Sequence, residues 1–154
     1  MEKRKLWSLL VFGAFLFTTG LSFAVWAGAI PGNLRGKIIT SPKSIELPER
    51  NLLGGLLKQD RQVFTRDSNG AWSVNLVAFF RQPTPAEQLG VVVLDGKNEA
   101  VAVATVNGVK GQTTLACSLL VDSTESPGQE HKLQVFYVKN GEPVVLAEKT
   151  IVLK

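Results

Sequence analysis

The dipeptide Asn140-Gly141 sits between two β-branched runs, Leu133–Val138 and Val144–Leu153, and constrains the fold more than any other feature. Asn and Gly tolerate positive φ at both central positions of a type I′ turn, whose twist matches that of paired strands. The spacing predicts an antiparallel hairpin. The same grammar runs upstream. Trp72 to Phe80 alternates, placing Trp72, Val74, Leu76, Ala78 and Phe80 on one face, and halts at Gln82-Pro83-Thr84-Pro85. Leu89–Leu94 closes at Asp95-Gly96, Ala100–Val106 closes at Asn107-Gly108, and Thr113–Val121 alternates again. Lys37–Thr40 and Arg61–Arg66 are weaker strand candidates.

No window carries a long, capped 3.6-residue period. The chain therefore reads as all-β: an antiparallel β-sandwich of seven or eight strands, with turn signals every 8–12 residues on the order expected of such folds. An immunoglobulin-like topology fits this size and strand count, although the paired cysteines of antibody domains are missing. The segment Leu47–Lys58, with Leu52-Leu53-Gly54-Gly55-Leu56-Leu57, fits no strand; it reads as a short helix or a loop laid across the sandwich.

Ahead of this domain, Lys3-Arg4-Lys5 precedes an uncharged, mostly apolar run from Leu6 to Ala29. A basic cluster joined to such a run addresses the downstream chain to the far side of a membrane. Two forms fit. Ser22-Phe23-Ala24 and Ala27-Gly28-Ala29 offer the small residues that signal peptidase accepts, making Ala24, Ala27 and Ala29 cleavage markers. Alternatively Trp7 and Trp26 lie roughly 28 Å apart along a helix, the separation of the two aromatic belts around a bilayer span. The expected organisation is a signal peptide or N-terminal membrane anchor over 1–29, a stem with a first strand over 30–44, and the sandwich over 45–154. The domain is then periplasmic, extracellular or anchored. Asn-x-Ser/Thr glycosylation sites are absent, which favours a bacterial envelope.

Charge excludes one class of partner. The formal net charge is +4, but setting aside Glu2, Lys3, Arg4 and Lys5 from the 17 basic and 13 acidic residues leaves 14 against 12. The exported part is only mildly basic and its charges are dispersed, so nucleic acid is not an expected partner. The single cysteine, Cys117, forbids an intramolecular disulfide and lies far from the position that a bacterial lipid anchor requires.

Chemistry-bearing residues are sparse. His131 is the sole histidine, so any imidazole mechanism passes through it; no Gly-x-Ser-x-Gly elbow accompanies it. Cys117 falls in phase with Leu115, Leu119 and Val121, as a core residue does. One histidine and one cysteine cannot close a zinc site, and Asp95-Gly96-Lys97-Asn98-Glu99 reads as a turn rather than a calcium loop. Gly54-Gly55 lacks the Lys and Ser/Thr of a phosphate-cradling loop. No cofactor or metal is expected.

The remaining signal is apolar residues on the second faces of two strands: Val77 and Phe79 in one, Phe136 and Val138 in the other. Either another layer covers them, or they form a protein-binding patch rimmed by Arg81 and Lys139. The leading expectation is a non-catalytic envelope module, exported or membrane-anchored, that binds a protein or a surface polymer. A small secreted hydrolase using His131 or a carboxylate pair is one alternative. A structural subunit that lends an edge strand is another, with the terminal run Val144–Leu153 as the candidate edge and Glu148, Lys149 and Lys154 opposing it.

Overall fold

A computed structural model describes residues 30–45, 53–122 and 127–154. Lys3, Arg4, Lys5, Ala24, Ala27 and Ala29 lie outside the described residues, and so does Leu52. No helix among the described residues is long and apolar enough to cross a membrane.

The chain is all-β, as its turn grammar predicts. A short 3-10 turn (Gly32–Leu34) precedes β1 (Ile38–Ser41); one short helix, α1 (Leu53–Lys58), and the two-residue β2 (Val63–Phe64) follow. The longer strands are β3 (Trp72–Phe79), β4 (Gln88–Leu94), β5 (Ala100–Asn107), β6 (Thr114–Val121), β7 (Gln129–Lys139) and β8 (Glu142–Leu153). They form two sheets, one of three strands in the order β1-β3-β6 and one of five in the order β2-β8-β7-β4-β5. All pairings are antiparallel except β2 with β8, which is parallel.

Alternation drives the packing. Trp72, Val74, Leu76, Ala78 and Phe80, along β3 and just past its end, point into one core with Leu115, Leu119 and Val121 of β6. From the other sheet, Leu89, Val91 and Val93, Ala102, Ala104 and Val106, Leu133, Val135 and Tyr137, and Leu146, Ile151 and Leu153 join the same cluster. A period of two residues sends every second side chain inward, which makes most of these positions readable from the sequence. Trp72 is fully buried; its Nε1–H donates to the Lys154 carbonyl at 2.8 Å, and the Arg66 guanidinium lies 4.5 Å from the ring centroid.

A second, smaller cluster lies on the outer face of the three-stranded sheet. Val77, Phe79 and Ile39 meet Leu34 of the 3-10 turn and Leu56 of α1, with Ile30, Ile45 and Ala116 at its margin. The stem expected over 30–44 contains β1. Leu34, Ile38 and Ile39 are buried, so packing of the folded unit begins within the stem.

The β7–β8 hairpin turns as expected: Asn140 and Gly141 both have positive φ, 53° and 80°, and Lys139 pairs with Glu142. A bulge further along shifts the register between Val135 and Phe136, leaving Leu146 opposite no single partner. Bulges bend a strand and free its backbone groups. Here the freed carbonyl of Leu146 accepts the Arg81 N–H at 2.9 Å, and Glu148 N–H donates to the Gly36 carbonyl, tying the end of β3 and the turn before β1 to β8.

Candidate functional site

Three of the four residues of the expected apolar patch are buried. Val77 is 3% exposed, Phe79 1% and Phe136 7%, and only Val138, at 53%, faces solvent. The reasons differ between the strands. Val77 and Phe79 are covered by Leu56 and Leu34, so α1 serves as the covering layer. Phe136 is on the outer face of the five-stranded sheet and lies across Gly90, its partner on β4, where no side chain intervenes. Among the described residues, Val77, Phe79, Phe136 and Val138 therefore form no shared exposed patch. Arg81 and Lys139 consequently rim nothing; Arg81 instead pairs with Glu148 at 2.9 Å, and Gln134 reaches the other oxygen of that carboxylate.

The candidate catalytic groups are committed to the fold. His131 is 2% exposed, on the same face of β7 as Leu133 and Val135, and its Nδ1 is 3.0 Å from the Gln129 carbonyl. Burial pushes the Cys117 thiol up to about 12, far from the range of a reactive thiolate. Asp95 Oδ1 accepts the N–H groups of Lys97 and Glu99, both at 2.8 Å, which makes this segment a carboxylate-capped turn. Asp67 does the same for Asn69 and Ala71. Asp60 contacts Lys149 Nζ and accepts the Thr40 N–H. Among the described residues no group of three or more His, Cys, Asp or Glu side chains is placed to hold a metal ion.

What the fold does present is a set of sheet edges, treated unequally. The terminal run expected as a candidate edge, β8, is not one: it lies between β2 and β7. Its charges have other duties, Lys149 holding Asp60 and Glu148 holding Arg81. At the edge strand β1, the Thr40 N–H meets Asp60 and its carbonyl accepts the Arg61 N–H at 2.6 Å, so the loop after α1 covers it. β2 is only two residues long. For β6, the Phe80 N–H bonds the Thr113 carbonyl, so the alternation of an antiparallel ladder turns the Thr114 carbonyl away from β3. The Gln112 amide takes that carbonyl and blocks the start of the edge.

β5 is different. It spans eight residues, Ala-Val-Ala-Val-Ala-Thr-Val-Asn, without a charge or a proline, and among the described residues no strand pairs with its outer edge at Val103 and Thr105. The Gly108 N–H donates to the Glu87 carbonyl at 2.8 Å, which sets the phase of the ladder. Val106, Ala104 and Ala102 thus turn their backbone groups toward β4, while Thr105 and Val103 turn theirs outward. Folded proteins protect edges with charges, prolines, short strands, covers or bulges; β5 has a bulge at Val101, where Val93 pairs with Ala102 and Leu94 with Ala100, and runs regular from Ala102 to Asn107 without a charge or proline. Sequence reasoning located this strand but not its place in the sheet; the signal available was the missing charge.

No protein-family model matches this chain, and no curated protein matches it. Among solved structures, it is similar to the crystal structure of an FMN-binding beta-glucuronidase from Facaelibacterium prausnitzii L2-6, at 12% identity and a TM-score of 0.48. That likeness covers 77% of this chain, which spans only 15% of the enzyme's length. A resemblance so distant assigns neither activity nor ligand.

Proposed function

We propose that this chain is a non-catalytic docking module of a bacterial cell envelope, carried across the membrane by its basic and apolar N-terminus and joined to protein partners by strand pairing. Its finer architecture, on this reading, is a β-sandwich of immunoglobulin-like topology. The strand order supports that: the chain begins in the three-stranded sheet, sends β2 to the other sheet beside the final strand, and moves between the two sheets thereafter. Trp72 departs from the antibody pattern, standing on β3 rather than on the strand after it.

The observation that carries the docking reading is the open, uncharged edge of β5. An exposed row of backbone donors and acceptors recruits an extended segment, and flanking side chains supply selectivity. The burial of His131 speaks against the histidine form of the hydrolase alternative. The test is a photo-crosslinking residue at Thr105 of the full chain in its native membrane, with Asn69 in an exposed turn as control. A discrete protein adduct at Thr105 and none at Asn69 is expected; equal, diffuse labelling at both positions would contradict the reading.

A further inference from the structure

Resting on that docking reading, we infer that the occupant of the β5 edge is a second copy of this chain, paired antiparallel across a two-fold axis. An edge that meets its own copy must be self-complementary, since residue i of one copy meets residue j of the other and j meets i. β5 satisfies this from Ala102 to Val106, beyond the bulge at Val101. Thr105 and Val103 direct their backbone groups outward, and a register centred on Ala104 places Val103 opposite Thr105 of the second copy, each exchanging N–H and C=O groups. On the outer face this sets β-branched against β-branched side chains, a favourable cross-strand pairing. On the inner face Ala102 meets Val106 and Ala104 meets Ala104, small residues that let two cores abut.

The charges agree with this arrangement. None lies within β5, so the two-fold axis brings no like charges together. The flanking charges fall at opposite ends: Glu99 immediately before the strand and Lys110 just after it, the latter only loosely held, 3.5 Å from an exposed Glu87. Antiparallel pairing sets Glu99 of each copy beside the Lys110 end of the other, twice per dimer. Val109, 68% exposed between strand and lysine, would be covered by the same approach. Of the other edges, β1 is covered and β2 is two residues long, while β6, also eight residues without a charge or proline, has its first carbonyl taken by Gln112.

The experiment uses the full chain in detergent, with mass measured by light scattering or sedimentation. Val103 is half-buried at the edge, so Val103→Lys and Val103→Glu leave the monomer's core intact while setting like charges across the axis. The wild type is expected to be dimeric. Each variant alone should weaken dimerisation at least about tenfold, and mixing the two should restore a dimer containing one copy of each. A dimer that persists in both variants overturns the inference, because its interface is then elsewhere. A monomeric wild type whose Thr105 crosslinks to a different protein overturns the second copy and leaves the docking reading standing. A monomeric wild type with no adduct at Thr105 overturns both.

Discussion

The ring of Phe136 lies across Gly90 on the neighbouring strand, so close that a Cβ at position 90 would overlap the ring at Phe136 Cζ. The absent side chain is the space that the ring fills. An aromatic laid over a cross-strand glycine buries apolar surface on a face that has no covering layer among the described residues, which is why Phe136 belongs to neither core cluster yet is nearly inaccessible. Gly90→Ala is therefore expected to destabilise the fold by about 1–3 kcal/mol through overpacking. In a Phe136→Ala background the same change should cost little, because its clash partner is gone. Urea midpoints of the two single variants and the double variant measure the coupling; equal costs in both backgrounds would contradict the contact.

The Asp60–Lys149 pair fastens the loop after α1 to β8, and Asp60 also accepts the Thr40 N–H of β1. The lysine side chain is 13% exposed and the carboxylate 36%. Asp60→Asn leaves that ammonium without its counter-charge and should cost about 1–2 kcal/mol, less than a fully buried pair because solvent still reaches the carboxylate. Lys149→Met is expected to cost less, since it removes the buried charge along with the pair. Thermal or urea unfolding of both variants gives the order.

Cys117 supplies a pH dependence with a definite sign. Burial holds its thiol at about 12 against an ordinary value of 9.0. Between those values the unfolded chain releases a proton that the folded chain keeps, so stability falls as pH rises through this window and is unaffected by this group below it. Cys117→Ala should lose that part of the decline, visible as a smaller drop in urea midpoint from about pH 8 to about pH 10. The same burial predicts slow reaction of the folded protein with a thiol reagent and rapid reaction once urea unfolds it.

These residues mark how far the fold is legible in the sequence. Period-two alternation identifies the inward face of β3 residue by residue, and Asn140-Gly141 identifies the hairpin, because both are local consequences of backbone geometry. Apolar residues on both faces of β3 and β7 are visible too, yet the sequence does not distinguish a covered face from an exposed one. That distinction depends on Leu56 and Leu34, remote in the chain from Val77, and on a glycine that accommodates Phe136. Edge status is hidden for the same reason. The run at β8 looks terminal in sequence but is flanked in space by β2, whereas β5, which looks like any interior strand, ends its sheet. Long-range pairing decides both, and no single-strand pattern encodes it.

The central claim, that β5 is an open edge used for docking, is tested most directly by amide hydrogen exchange along that strand. In the Val103→Lys monomer, the amides of Ala104 and Val106, bonded to β4, should be protected while those of position 103 and Thr105 exchange quickly; in the wild-type assembly Val103 and Thr105 should gain protection. Fast exchange at 103 and 105 in both would show that nothing docks on the edge, and protection of all four in the isolated monomer would show that it was never open.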